Sequence, residues 1–158
     1  MRILVVGGVA GGMSFAARAR RLDESAEIVV FERDPYVSFA NCGLPYYVAG
    51  EIRERDDLLL HTPESLAASL ALDVRIGHEV IGIDRAARTI TVRTPDGTAA
   101  VDPYDVLVLS TGAAPIIPPI DGLELPEVRR RTHVLRNVPD VDAITALVDQ
   151  GAKTAVIL

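Results

Sequence analysis

The feature that most restricts the fold is a short apolar run that leads directly into a cluster of glycines at the start of the chain. Residues 2–6 have the sequence R-I-L-V-V, and residues 7–12, the glycine turn, have the sequence G-G-V-A-G-G. An apolar run that does not alternate with polar residues is typical of a parallel strand buried on both faces. Four glycines in six residues then predict a tight turn.

A helix and a second buried strand are predicted after the glycine turn. Good helix formers fill residues 10–22, and arginines come at their end, where cations suit the helix dipole. Residues 27–31 form another apolar run, which closes with Glu32. Residues 2–32 are therefore predicted to form a βαβ unit.

The glycine turn fits the dinucleotide fingerprint G-x-G-x-x-G at two of its three positions. Gly7 and Gly12 match the first and third glycines, which make the tight turn and let helix and strand pack closely. Val9 stands at the second position, where glycine admits a pyrophosphate, although Gly8 and Gly11 give the backbone comparable freedom.

The surroundings of the turn favour a dinucleotide. Glu32 lies twenty residues after Gly12 at the end of a strand, where it can accept hydrogen bonds from a ribose 2′-OH. The free N–H groups at the start of the helix favour a diphosphate. The alternative is the turn of some other α/β domain, with Glu32 as a solvated strand end. FAD and NAD share the fingerprint, so it does not decide between them.

The rest of the chain predicts further short elements. Helices are expected over residues 41–48 and 63–72, the second with Thr62 as N-cap and Pro63 at its first position. An antiparallel meander is expected from residues 74–83, 89–93 and 98–101, with a turn at residues 95–97. Apolar residues 104–110 predict a parallel strand that returns to the first sheet.

We therefore predict an α/β, Rossmann-like dinucleotide-binding domain, a parallel sheet with a crossover helix plus an antiparallel meander, truncated at the start of a second domain. Its first segment would be residues 1–113, followed by a proline-rich connector at 114–139. Residues 140–158 would begin the second domain, with a helix at 140–150 and a buried strand at 153–158.

Composition argues against several functions. The 158 residues carry a net charge of −6 and no long basic run, which disfavours nucleic acid as a partner. No stretch resembles a membrane span or a secretory signal, so we expect a cytoplasmic protein. One cysteine and three scattered histidines predict no metal.

The single cysteine, Cys42, lies between Asn41 and Gly43. If Asn41 caps the following helix, the thiol lies at the positive helix end, which favours the thiolate that attacks disulfides and peroxides. With no second cysteine in the chain, the electron pair must pass to a flavin, or the partner thiol must come from the substrate. The alternative is an inert, buried cysteine that packs as a small hydrophobe.

Four blocks in this order resemble one family: V-V-G-G-V-A-G-G-M-S, F-E-R-D, S-F-A-N-C-G-L-P-Y-Y and Y-D-V-L-V-L-S-T-G-A-A-P. They resemble the coenzyme A-disulfide reductase branch of the FAD-dependent pyridine nucleotide-disulfide oxidoreductases, and the likeness covers the whole chain. That branch also carries valine at the second glycine position. The resemblance implies that the first domain, the Rossmann-like segment 1–113, is an FAD-binding domain and that residues 140–158 begin an NAD(P)-binding domain.

The resemblance implies that electrons run from NAD(P)H through FAD to Cys42, the catalytic residue, which cycles between a thiolate and a mixed disulfide with coenzyme A or a related small thiol. It implies FAD contacts at Gly7, Gly8, Val9, Ala10, Gly11, Gly12, Glu32, Arg33, Asn41, Val80, Thr111 and Gly112. It implies coenzyme A contacts at Ser14, Arg18, Arg21, Ser38 and Asn41.

Two alternatives remain open at this point. Relatives in the same superfamily use the equivalent cysteine in NADH oxidases and peroxidases, and others reduce persulfides. A non-catalytic flavin- or nucleotide-binding module is the second alternative. The resemblance also implies a homodimer for the full-length protein, and we expect the 158 residues alone to be inactive.

Overall fold

The computed structural model describes residues 1–157, which fall into two compact units. The first unit comprises Met1–Phe39 and Leu59–Gly112. The second comprises Ala40–Leu58 and the described residues from Ala113 onward.

Seven strands and five α-helices are found in the described residues. The strands are β1 (Arg2–Val6), β2 (Glu27–Glu32), β3 (Asp73–Ile76), β4 (Glu79–Asp84), β5 (Thr89–Arg93), β6 (Ala99–Pro103) and β7 (Val106–Leu109). The helices are α1 (Ala10–Leu22), α2 (Leu44–Val48), α3 (Pro63–Leu70), α4 (Pro126–Arg129) and α5 (Val138–Asp149). Short 3₁₀ turns cover Asn41–Gly43 and Arg55–Leu58.

A parallel four-stranded sheet with the order β3-β2-β1-β7 organises the first unit. The βαβ unit and the return of a later strand to this sheet are confirmed. Strands β4, β5 and β6 form a separate antiparallel meander, also as predicted. The predicted α/β, Rossmann-like fold is therefore confirmed.

Both faces of the parallel sheet are covered. On β1, Ile3 and Val5 belong to one buried cluster, which includes Ala16 of α1 and Leu66 of α3. Leu4, between them, belongs to a second cluster with residues of the meander. Because successive side chains point to opposite faces, burial on both faces explains why the strand is apolar without alternation.

One predicted segment, residues 74–83, is divided differently in the structure. Gly77 has a φ of +68° and ends β3, which pairs with β2 in the parallel sheet. The N–H of His78 donates to the carbonyl oxygen of Glu32 at 3.0 Å, and the meander begins only at β4. The prediction that residues 74–76 belong to the meander was wrong, because a left-handed glycine turns the chain there.

The local turn and cap signals were more reliable. The side chain of Thr62 caps α3 as predicted, although the helix ends at Leu70 because Ala71 adopts a left-handed φ of +48°. Helix α5 begins two residues before the predicted start, since the Asn137 side chain accepts from the N–H of Asp140 at 3.0 Å.

Asp96 lies in the predicted hairpin turn at residues 95–97. A hydrogen bond from the Thr94 hydroxyl lowers the pKa of its carboxyl group to about 2.

The second unit departs from the prediction in two places. The predicted connector contains the short helix α4. Residues 153–157 form no strand, so the strand predicted over 153–158 is wrong for those five residues, and Leu158 lies outside the described part. A strand needs hydrogen-bonded neighbours, and none of the described strands pairs with this segment. The predicted domain bounds themselves stay a prediction.

Over residues 1–157, no helix is both long enough and apolar enough to cross a membrane.

The two-sided sheet core predicts how two phenylalanines will differ. Phe31 is 2% exposed in the cluster between sheet and meander, whereas Phe15 on α1 is 37% exposed. We expect Phe31→Ala to lower the free energy of unfolding by about 3–5 kcal/mol through cavity formation. Phe15→Ala, the matched control, should cost about 1 kcal/mol or less. Urea unfolding followed by circular dichroism measures both, and equal losses would contradict the layered core.

Candidate functional site

Three segments of the first unit meet at the carboxyl edge of the parallel sheet. The glycine turn follows β1, Glu32 ends β2, and Ser110 follows β7. The N–H of Gly7 donates to Phe31 O and that of Ser110 donates to Val6 O, both at 2.8 Å. In open α/β sheets this edge, where strand order reverses beside the first strand, is where ligands bind.

The glycine turn packs too closely for side chains. Gly7 has a φ of +103°, and a Cβ atom there would lie 2.1 Å from the carbonyl oxygen of Ser110. A Cβ atom on Gly12 would lie 1.8 Å from the carbonyl oxygen of Gly7. Gly11 faces the Ser110 hydroxyl. Ser110 was not among the predicted site residues, and the one feature of the sequence that could have indicated it is its position just before Thr111-Gly112.

The start of α1 suits an anion. The N–H groups of Ala10, Gly11 and Gly12 belong to the first helical turn and have no intrahelical acceptor. That turn contains no acidic residue, and Val9, the N-cap, makes no side-chain cap bond. Val9 has a φ of −102°, so its backbone does not require glycine. These backbone donors and the absent Cβ atoms fit the diphosphate of a dinucleotide.

Glu32 is 6% exposed, which excludes the alternative of a solvated strand end. Its Oε2 accepts from the N–H of Gly8 at 2.7 Å, and its Oε1 accepts from the N–H of Asp34 at 2.9 Å. The carboxylate thus joins the glycine turn to the loop after β2. The sequence spacing predicted that Glu32 contacts a ribose and did not indicate this link. Each carboxylate oxygen keeps a further lone pair that can still accept a hydrogen bond.

The remaining predicted FAD contacts of the first unit lie around this edge. Val80 is half-buried on β4 against the second core cluster. Arg33 is exposed and lines a shallow groove of about 320 Å³ that also includes Arg93. Thr111 and Gly112 are exposed and follow Ser110 after the end of β7.

Helix α1 carries three of the predicted coenzyme A contacts on one side. Ser14, Arg18 and Arg21 are exposed and follow the i, i+4, i+7 spacing of a single helix face. Among the described residues, neither arginine forms an ion pair. Arg20 differs, since its Nε donates to the carbonyl oxygen of Leu70 at 2.9 Å and ties α1 to the end of α3.

Ser38 lies beside the glycine turn. Its N–H donates to the carbonyl oxygen of Gly8 at 2.8 Å, and its own carbonyl accepts from the N–H of Leu60 at 3.2 Å. Its φ of +50° is unusual for a residue with a side chain and is maintained by these two bonds.

Cys42 belongs to the second unit, in Ala40–Leu58, which we call the thiol loop. The thiol is exposed, in contrast to the buried, inert alternative. Cys42 lies in a 3₁₀ turn before α2, and its Sγ is 3.9 Å from Oδ1 of Asn41.

The predicted N-cap at Asn41 was wrong. Neither the 3₁₀ turn nor α2 has a side-chain cap, and their N-cap residues are Ala40 and Gly43. The N–H of Gly43 donates to the carbonyl oxygen of Ala40 at 2.8 Å, so a tight turn forms before the helix begins.

The family model for the pyridine nucleotide-disulphide oxidoreductases matches residues 1–157. The chain belongs to this family. Its members bind FAD and take electrons from NAD(P)H, in agreement with the dinucleotide features of the first unit.

Three known proteins illustrate the similarity. The coenzyme A disulfide reductase of Staphylococcus haemolyticus is 39% identical over 159 residues, which cover 99% of this chain and 34% of that protein. The reduced CoADR-RHD of Bacillus anthracis is 47% identical with a TM-score of 0.86, covering 94% of this chain and 26% of that one. A NAD-dependent persulfide reductase from A. fulgidus is 34% identical with a TM-score of 0.89, covering 97% and 28%. The chain therefore spans between about a quarter and a third of the length of these three relatives.

The steric requirement at the glycine turn gives a direct test. Gly12→Ala should force α1 away from the turn, lower the free energy of unfolding by about 1–3 kcal/mol and weaken FAD binding. Gly82→Ala on β4 is the matched control, because its Cβ atom would meet Thr91 at an ordinary 3.6 Å. Chemical unfolding and FAD fluorescence titration measure both variants. Normal FAD affinity in Gly12→Ala would contradict the assignment.

Proposed function

We propose that this protein is the FAD-binding part of an NAD(P)H-dependent disulfide reductase in which Cys42 is the one redox-active thiol. The proposed substrate is coenzyme A disulfide or a related small disulfide. The observation that carries the proposal is an exposed thiol in a chain that contains no other cysteine, within a family of disulfide oxidoreductases.

The chemistry assigned to Cys42 is an exchange of one sulfur–sulfur bond for another. Its thiolate attacks one sulfur of the substrate disulfide, a mixed disulfide forms, and the first substrate thiolate leaves. Bound FAD would supply the electron pair taken from NAD(P)H. Two electrons and a proton then convert the mixed disulfide into the Cys42 thiolate and the second free thiol. One disulfide and one NAD(P)H thus yield two thiols and NAD(P)⁺, with one further proton consumed.

The residues proposed to hold FAD share backbone donors and close approach at the sheet edge. The diphosphate would lie on the first turn of α1 and the ribose near Glu32. The proposed contacts are Gly7, Gly8, Val9, Ala10, Gly11, Gly12, Glu32, Arg33, Asn41, Val80, Thr111 and Gly112.

Coenzyme A as the partner thiol is supported by the exposed face of α1. Arg18 and Arg21 present two guanidinium groups that form no ion pair within the described residues, and guanidinium groups recognise phosphates. Ser14 on the same face, and Ser38 and Asn41, complete the proposed contacts. We further propose that the full-length protein acts as a homodimer in the cytoplasm.

Persulfide reduction is the second candidate, because the persulfide reductase from A. fulgidus has the same fold over 97% of this chain. Both reactions begin with attack of a thiolate on a sulfur–sulfur bond. Substrate recognition, not the cysteine, would distinguish them.

Replacing the thiol tests the central step. In the FAD-loaded, full-length protein, anaerobic titration with NAD(P)H should produce a long-wavelength charge-transfer band from the Cys42 thiolate. Cys42→Ser should lose that band and all disulfide reduction while retaining FAD, because an alcohol does not exchange with disulfides. A Cys42→Ser variant that still reduces coenzyme A disulfide would refute the proposal. Steady reduction of oxygen or of peroxide by the wild type would favour an NADH oxidase or peroxidase instead.

The arginines on α1 test the substrate class. In the full-length protein, Arg18→Ala and Arg21→Ala should each raise KM for coenzyme A disulfide about tenfold, as expected for loss of a phosphate contact of about 1–3 kcal/mol. Arg85→Ala, at an exposed arginine between β4 and β5, is the control and should leave KM unchanged. A disulfide without phosphates should be insensitive to all three changes. Unchanged KM in both α1 variants would exclude this face as the coenzyme A site.

A further inference from the structure

The thiol loop needs support from outside itself. Cys42 lies in a three-residue 3₁₀ turn without a side-chain cap, and α2 has only five residues. Elements this short do not persist alone, because too few hydrogen bonds offset the entropy of ordering the chain. The position of the thiol must therefore be fixed by what the loop packs against.

The loop is closed at its base by backbone and apolar contacts. The N–H of Ala40 donates to the carbonyl oxygen of Leu58 at 2.8 Å, joining the two ends of the loop. Leu44 and Leu58 are 1% and 0% exposed. A Cβ atom on Gly43, next to the thiol, would lie 3.2 Å from the side chains of Ile52 and Leu58, so the turn rests directly on this layer.

A bidentate ion pair joins the loop to α5. Nε of Arg55 donates to Oδ1 of Asp142 at 2.7 Å, and Nη2 donates to Oδ2 at 2.8 Å. Two parallel hydrogen bonds fix both the distance and the relative orientation of the two side chains. A lysine ammonium group in place of the guanidinium would fix only the distance. The Arg55 guanidinium lowers the pKa of the Asp142 carboxyl. The pair is therefore intact at neutral pH and is lost only as the pH falls through that lowered value.

Helix α5 is a firm support for this contact. Its first turn is closed by a capping box between Asn137 and Asp140. Val138 and Val141 are fully buried, and Asp142 follows directly in the next position. The anchoring carboxylate thus belongs to the packed, N-terminal part of the helix.

From this chain of contacts, we propose that the Arg55–Asp142 pair positions the thiol loop and thereby sets the reactivity of Cys42. Arg55 and Asp142 are positioning residues, since neither contacts the sulfur. The effect of the pair on disulfide reduction rests on the proposed function, whereas its effect on the reactivity of the Cys42 thiol does not.

The test measures the alkylation rate of Cys42 by iodoacetamide at neutral pH in the intact, FAD-loaded protein. We expect Arg55→Ala and Asp142→Ala each to slow alkylation by about threefold or more, because the 3₁₀ turn that carries Cys42 then loses its anchor to α5 and no longer holds the sulfur in one exposed position. The double variant should be no slower than either single one, as for two partners of one interaction. The charge-swapped pair, Arg55→Asp with Asp142→Arg, should recover part of the rate.

Asp73→Ala is the matched control, since it removes a carboxylate of similar exposure that pairs with Arg75 in the first unit. It should keep the wild-type rate. Far-UV circular dichroism checks that each variant is folded, and Asp142→Asn replaces Asp142→Ala if the latter is not. An unchanged rate in the folded variants, or an equal change in Asp73→Ala, overturns the positioning role. Because alkylation needs no substrate, this failure is distinguishable from a failure of disulfide reductase activity.

Discussion

The first unit depends on a contact that only glycine permits, between Gly12 on α1 and the carbonyl oxygen of Gly7. Because no Cβ atom intervenes, the helix can begin directly against the end of β1, and its unpaired N–H groups face the carboxyl edge of the sheet. The same closeness brings Gly7 against Ser110, which follows the neighbouring strand. An anion-binding edge is thus a consequence of how helix and strands pack.

The burial of the sheet on both faces explains why the proposed nucleotide site lies at this edge. Helices α1 and α3 cover one face and the meander covers the other, which leaves the ends of the strands as the exposed places where loops converge. Glu32 strengthens this arrangement, since its buried carboxylate accepts from backbone N–H groups of two different loops. A charged group retained in such surroundings must be hydrogen-bonded, and here its partners also shape the nucleotide turn.

Sequence patterns were sufficient where the structure is determined locally. The bounds of β1 and α1 follow from an apolar run, a glycine cluster and helix-forming residues, and they were predicted as observed. Long-range pairing decided the rest. Residues 74–83 look like one strand, but pairing of β3 with β2 assigns their first part to the parallel sheet. Asn41 looks like a cap, but closure of the loop between Ala40 and Leu58 makes a 3₁₀ turn there instead.

The presence of a single cysteine places a particular demand on the thiol loop. In an enzyme with two cysteines, an internal disulfide can itself tether the reactive loop in one redox state. Within these 158 residues no such tether can form, because they contain no second cysteine. Non-covalent contacts must therefore hold the loop in every redox state, and a fork of two charge-assisted hydrogen bonds from Arg55 is the strongest kind available at a partly exposed position. If Cys42 acts as proposed, the use of one thiol for disulfide chemistry and the anchoring of its loop to α5 are two parts of the same requirement.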